Sequence, residues 1–572
     1  MKKITLLASA MTVAVAAWAQ VAEPTAIWAK NFTDSQKSGT SQGSSIALAS
    51  DGGVYTVGGF GTTTADDQIM WGAEAVATGT ECLSTSSSGN QTFMLSKIDV
   101  EGNMDWRVYT ENAEVSSNES WVAGTPDGVV AFFNIRHANS MGDKDIVFVD
   151  GNDNRYTYNW TLGEAGASRY FTGIVMKVLN DGTLDWFKPI VMNHDGQPNA
   201  TTYKDITSQG IYCYAVDVDA QGNIYVGGNM RTTMTIANGD DNVVIEPHNV
   251  DGWDGDSQKS VGNLFILKLD GNGNYLGHIV TGGQAKYESI RDIKVGNNNL
   301  YFFGLLTGNE EQGTVTLGGK EITTLNANGG IIAGCIDTDL QNAKWLSYFN
   351  NTKTGGVLQT PGLRVYNNRM WIMGKTNMQG LQAGEKVLSA EHTRDAMLLK
   401  LDASSGELVD GHMKLTNQAG YFDCFEDEDG YVYVAGHVLV KPVTLEKFDI
   451  NNLDEPENTW ELANNSSDTQ GVAINNDGIL YAMFRSNAAL TFINNPDVTI
   501  AKPSKFSCVV SAFQMPVKEL PTAISSVNAE KSLKAVRYFN ATGIESATPH
   551  PGFNIMVKHY SDGSREVVKI MR

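Results

Sequence analysis

The sequence predicts an all-β protein: a seven-bladed β-propeller closed by an N-terminal strand in the last blade, plus a small C-terminal β tail domain. Three observations predict it. A four-strand pattern recurs seven times, Gly, Asn and Asp punctuate its turns, and the last copy lacks a fourth strand that stands instead near the start of the chain. At 572 residues the chain exceeds one ordinary core, a size that a ring of repeated sheets reaches. Hydrophobic residues at 41% and charged residues at 19% exclude a disordered chain, and 58 glycines against 14 prolines suit many tight turns.

Residues 1–19 have the three parts of a secretion signal: Lys2 and Lys3, an apolar run from Ile4 to Ala17, and the small-x-small site Ala17-Trp18-Ala19. The run is shorter than the roughly 20 residues that span a bilayer, so cleavage is expected to leave no transmembrane segment. The expected location is outside the cell, secreted or on the outer surface. Losing two lysines takes the formal charge from −22 to −24. An acidic surface repels phosphate backbones, which argues against a nucleic acid partner. Five cysteines cannot all pair, and no CxxC or Cys/His spacing supports zinc, so buried free thiols are expected.

The propeller is expected over residues 25–515. Its first hairpin reads Ile46 to Gly59, turning at Asp51-Gly52-Gly53, with close copies from Ala215 to Gly228 and from Asp429 to Gly436. Other copies turn at Asp127-Gly128, Asn297-Asn298, Asn367-Asn368 and Asp477-Gly478. Such turns call for positive φ, which Gly, Asn and Asp tolerate best. The second hairpin carries Lys-x-Asp, a turn glycine and then Trp: Lys97, Asp99, Gly102 and Trp106 in the first copy, with Trp186, Trp345 and Trp460 in later ones. The last copy has a third strand, Phe506 to Phe513, and no fourth. Thr25 to Phe32, with Trp28 at the tryptophan position, fits the vacancy and closes the ring.

The run from Ala215 to Gly228, followed by Phe265 to Gly273, resembles the SBBP-type bacterial β-propeller repeat. That resemblance covers about residues 25–515 and implies a propeller outside the cytoplasm, without implying an activity.

Repeat turns at 52, 128, 222, 298, 368, 430 and 478 give a mean step of 71 residues, longer than the roughly 40–50 of common propeller repeats. The surplus lies between second and third strands, in 61–92, 138–172, 232–263, 308–329 and 378–395. These insertions are expected on one rim, as a binding face or as packing hairpins. Their aromatics Trp71, Tyr158, Trp160 and Trp253 are the candidate ligand-binding residues, since flat apolar faces suit sugar rings. The alternative is that they cover the hairpins.

No catalytic pattern stands out. The acids Glu426 to Asp429 sit in a turn, the nine histidines show no HExxH, and no Gly-x-Ser-x-Gly occurs. No cofactor is called for. Calcium is the alternative at Asp150 to Asn154 and Asp251 to Asp256, which lack EF-hand spacing.

Residues 516–530 form a linker. From Lys531 to Arg572 there are seven Lys/Arg against three Asp/Glu. The run Tyr538 to Gly543, then Gly552 to Ile555, then Val567 to Ile570, resembles the C-terminal sorting domain of type IX secretion substrates. It implies the secretion machinery as a partner; a strand cap on the disk is the alternative. The function expected is an exported interaction module for a glycan, peptide or protein. A polysaccharide lyase or hydrolase would need two carboxylates, or a carboxylate and a histidine, facing one pocket on the axis. A structural scaffold is the third reading.

Overall fold

The computed structural model describes residues 23–516 apart from 35–39, 62–67, 79–91, 112–113, 139–143, 161–168, 193–208, 231–232, 240, 249–262, 284–286, 308–312, 325–328, 353–357, 467 and 504. It further describes 533–540, 545–546, 548, 553–560 and 565–571. Among the described residues every regular element is a strand. The architecture is all-β and propeller-like.

Antiparallel four-stranded meanders follow one another along the chain. Unit one is Thr40–Leu48, Val54–Gly61, Thr92–Ile98 and Met104–Glu111. Unit two is Glu114–Thr125, Gly128–Ala138, Arg169–Leu179 and Leu184–Met192, and unit three is Gln209–Val218, Ile224–Met230, Asn263–Leu269 and Tyr275–Val280. Units four, five and six begin at Tyr287–Gly296, Leu358–Tyr366 and Ala419–Glu426. They end at Ala343–Asn350, Leu408–Lys414 and Asn458–Ser466. Unit seven contributes Asp468–Ile474, Ile479–Ser486 and Ser507–Gln514, and its fourth strand is Thr25–Asp34. In that ladder Trp28 pairs with Ala512 and Phe32 with Cys508.

The first strand of each unit lies against the first strand of the next, and Asp468–Ile474 lies against Thr40–Leu48. These inner strands carry a bulge, at Ser44, Tyr214, Arg291, Phe422 and Gln470 for example. The bulge explains the glycine that ends the second strand. A Cβ on Gly58 would meet the Gln42 carbonyl oxygen at 2.2 Å, and one on Gly304 the Ser289 oxygen at 2.2 Å.

The Lys-x-Asp, Gly and Trp pattern is a contact between units. The indole N–H of Trp106 in unit one donates to Asn180 O in the turn of unit two, 2.9 Å away, and the ring lies over Gly182. Trp186 reaches Gly271 O at 3.1 Å, Trp345 reaches Ala403 O at 2.9 Å, and Trp28 reaches Val100 O at 2.8 Å. The turn glycines Gly102, Gly182, Gly273 and Gly406 have φ of 83°, 86°, 76° and 74°, so they supply both positive φ and room for the neighbouring ring. Unit two departs from the expected turn chemistry. Pro126 and Asp127 make its first turn, and Gly128 is not among the positive-φ residues. Its lack of a Cβ matters because Val178 O would lie 2.0 Å from one.

The insertions are hairpins, and most extend the sheet of the preceding unit. Gln68–Trp71 of unit one pairs with Thr25–Asp34 of unit seven. Lys144–Val149 of unit two pairs with the outer strand of unit one, and Met234–Asn238 of unit three with that of unit two. Leu490–Phe492 of unit seven pairs with the outer strand of unit six. Outer edges that would otherwise offer free backbone groups are thereby covered. The Gly313–Leu317 hairpin of unit four instead pairs with Gly282–Gly283, just past the outer strand of unit three. The short hairpin Leu381–Ala383 and Lys386–Leu388 of unit five is a two-stranded sheet by itself.

Past residue 516, Leu533–Asn540, Glu545–Ser546, Phe553–Tyr560 and Arg565–Met571 form a separate four-stranded antiparallel sheet.

Candidate functional site at the axis

The inner strands of units one to seven line one cavity of about 510 Å³. Its lining includes the turn residues Ser50, Pro126, Ala220 and Asn476, so it opens on the face that carries the short first-to-second turns. The long insertions join second to third strands at the opposite end of the sheets.

The two sides of this cavity differ. Units seven, one and two present Ile46, Leu48, Val122, Val472 and Ile474. Units three to six present Asp217, Lys294, Arg364, Tyr366 and Glu426. The charged side is a chain of contacts that crosses from unit to unit. Asp217 accepts the Val295 N–H at 2.7 Å, Asp292 accepts the Leu363 N–H at 2.8 Å, and Asp423 accepts the Val472 N–H at 3.3 Å. Each carboxylate thus satisfies a backbone donor of the next inner strand. Between units one and two the same part falls to Ser45, whose hydroxyl oxygen accepts the Val122 N–H at 3.4 Å.

Cations are interleaved with these acids. Lys294 donates to Asp292 at 3.3 Å and to Ile293 O at 2.8 Å, and Arg364 donates to Asp423 at 2.6 Å. Glu426 receives two bonds from Arg369, at 2.8 and 2.6 Å, and one from the Trp371 indole at 2.7 Å. Burial raises the pKa of Asp217 above the usual carboxylate range, against the opposing pull of Lys294 and the Val295 amide. Burial likewise raises Asp423, opposed by Arg364. Cys424 has its thiol pushed far up by burial, which makes it unreactive as a thiolate. Cys335 and Cys508 are also buried free thiols, pushed up to about 11 and about 12 by burial.

A carboxylate–histidine pair lies away from this cavity. Asp468, the first residue of the inner strand of unit seven, accepts from Lys375 at 2.8 Å and lies 3.7 Å from His437 Nε2. The imidazole stacks on Phe422 with ring centroids 4.9 Å apart, and its side chain is 0% exposed. Burial first, and Lys375 second, hold its pKa well below the ordinary value, so it is neutral. It does not line the axial cavity.

The sequence-predicted ligand residues are not brought together there. Trp71 is 1% exposed; its indole donates to Gly102 O at 3.0 Å and its ring packs on Phe32. Tyr158 is half-buried beside Phe187, its hydroxyl pushed up to about 12 by burial. Both take the packing alternative. Trp160 ends the strand Arg155–Trp160, and Trp253 lies outside the described residues. The Asp150 turn is held by its own protein donors: the amides of Asn152 and Asn154 and the Tyr156 hydroxyl. The Asp251 to Asp256 turn lies outside the described residues. Glu426, which the sequence places in a turn, instead ends the strand Ala419–Glu426 and is buried, while the other axial residues carried no sequence signal of their own because they sit in strands that read as core.

No family model matches the chain, and no curated protein matches it. Among solved structures, a europium-containing methanol dehydrogenase is similar over 74% of this chain and 88% of its own, at 11% identity and a TM-score of 0.32. A dihydro-haem d1 dehydrogenase is similar over 75% and 71%, at 11% identity and 0.32. A subtype N10 neuraminidase-like protein from little yellow-shouldered bat is similar over 71% and 95%, at 10% identity and 0.30. Likenesses this remote assign neither activity nor ligand.

Proposed function

We propose that the chain is an exported interaction module: seven units closed into one propeller that receives its ligand in the axial cavity. The observation that carries this reading is the cavity itself, a single space touched by an inner strand from every unit. Its size falls within the roughly 300–1,000 Å³ of small-molecule sites. Closure is supported by the meeting of units seven and one. Trp28 sits on Gly102, and the Tyr481 hydroxyl donates to Gly52 O at 2.8 Å, as contacts between consecutive units do.

A module is favoured over a lyase or hydrolase because the lining acids are held by protein donors. Asp217 and Glu426 are occupied as described, and Asp219 accepts from Gln221 and Asn223 amides at 2.9 and 2.8 Å. Acids so occupied are poorly placed to exchange protons with a substrate. Export rests on Lys2 to Ala19, and membership among SBBP-type repeats rests on Ala215 to Gly273. The sorting role of residues 531–572 rests on their sequence, and their separate sheet supports a small tail domain.

The test is a small-molecule fragment screen by ligand-observed NMR on the exported chain and on Leu48→Trp. Leu48 lines the cavity and is 37% exposed, so a larger ring there narrows it without overpacking the core. Hits that disappear in Leu48→Trp, at unchanged Tm, are expected. Hits that survive would move the ligand to the long-insertion face, and retention in the cell of the chain bearing its own leader would remove the export part.

A further inference from the structure

We infer that the axial cavity takes a neutral, hydroxyl-rich ligand, a single sugar residue, with its C–H face on the wall of units seven, one and two and its hydroxyls on the wall of units three to six. The inference rests on the axial seat proposed above and names the ligand class.

Two properties of the lining carry it. First, each cation of the polar side has an acid partner, and the two further acids, Asp217 and Asp219, are held by backbone amides. Lys294 is paired with Asp292, Arg364 with Asp423, and Arg369 with Glu426. An anion entering would lose its hydration and meet no unmatched cation, and a cation would have to compete with the amides that hold Asp217 and Asp219, which is costly. A neutral ligand avoids that cost. Second, the polar side offers donors and acceptors within one wall, and a hydroxyl uses both at once. Two hydrogens of the Lys294 ammonium are engaged, by Asp292 and by Ile293 O, and the third has no partner among the described residues. The Asp217 carboxylate and the Tyr366 hydroxyl, which donates to Cys424 O at 3.2 Å, supply acceptors on the same wall.

The opposite wall is aliphatic, and it suits the apolar face that a pyranose ring presents where its axial C–H bonds gather. A purely apolar ligand would bury the charged wall without satisfying it. A ligand with one apolar face and hydroxyls at its rim matches both walls.

The experiment titrates methyl glucoside, methyl galactoside and methyl mannoside into the full chain by calorimetry, with glucuronate and glucosamine as the charged arms. Saturable millimolar binding of at least one neutral glycoside is expected. Losing a hydrogen bond from a charged donor should weaken it about tenfold or more in Lys294→Met. Lys294→Arg should keep most of the binding, whereas Lys294→Met also leaves Asp292 without its cation and should lower the Tm; titration well below both midpoints, with unchanged near-ultraviolet circular dichroism, separates lost contact from lost fold. Preference for glucuronate or glucosamine over the neutral glycosides, or unchanged binding in Lys294→Met, would overturn the sugar assignment. If no sugar binds while Leu48→Trp still abolishes fragment hits, the ligand class fails and the seat stands. If neither sugars nor fragments bind there, both fail.

Discussion

The seam between units seven and one and the seam between units one and two use the same parts from different stretches of chain. At the second, Trp106 donates to Asn180 O at 2.9 Å and the Tyr55 hydroxyl to Asn180 Oδ1 at 2.8 Å. At the first, Trp28 donates to Val100 O at 2.8 Å and Tyr481 to Gly52 O at 2.8 Å. What differs is where the chain is interrupted. Thr25–Asp34 continues toward unit one yet pairs with Ser507–Gln514, so the first and last strands of the seven units share one sheet. A hydrogen-bonded ladder joins them, and the Trp contact between sheets is the one that units one and two make. Placing the interruption within a ladder makes the join cooperative, because many backbone bonds form together or not at all.

The most severe way to break this equivalence is to delete residues 25–34. The deletion uncovers the Ser507–Gln514 edge and removes the buried rings of Trp28 and Phe32. Loss of soluble monomer is expected, judged by size-exclusion chromatography, with partial rescue by a synthetic peptide of residues 23–34 added in trans. A soluble monomer with an unchanged melting transition would show that the ring does not depend on the strand.

Next in size come Trp28→Ala and Trp106→Ala. Each removes a ring that covers a turn glycine of the next unit, and a buried tryptophan lost in this way costs about 3–5 kcal/mol. Equal falls in urea midpoint would confirm that the closing seam matches an ordinary one. A much larger fall for Trp28 would mean that the closing ladder is weaker than the other sheets.

The pairing of Thr25–Asp34 with Ser507–Gln514 was legible in the sequence because alternation and Trp28 left one strand spare at the start of the repeat and one missing at its end. The turn glycines were legible too, since positive φ has few tolerant residues. The hairpins inside the insertions could be read, but their partners could not. Lys144–Val149 pairs with Tyr109 to Glu111 of the previous unit, and nothing local specifies a neighbour so far back. Trp71 was misleading for the same reason: it lies in a loop-like stretch, yet unit seven supplies the strand that buries it. The axial site was invisible because Asp217 and Asp423 each stand between apolar neighbours in a strand, and only the packing of successive units brings the next unit's amide to them.

The smallest expected effect tests the inner seams, where Ser45 joins units one and two and Asp217 joins units three and four. A hydroxyl carries no ionisation, whereas the Asp217 pKa is raised above 3.8 by burial. The folded state therefore holds its proton more tightly than the unfolded state. Below the unfolded value both states are protonated and the group costs nothing. As pH rises from 3.8 through the raised folded value, stability falls, and above that window the loss is constant. Asp217→Asn keeps an oxygen for the Val295 amide and has no charge to bury. It should match the parent near pH 3 and exceed it at pH 7, by on the order of 1 kcal/mol for each unit by which the folded pKa is raised. The readout is the difference in unfolding midpoint between variant and parent across that range, which cancels the titration of all other groups. If the variant is instead the less stable at pH 7, attraction between Asp217 and Lys294 outweighs burial, and the charged staples strengthen the ring more than the Ser45 one.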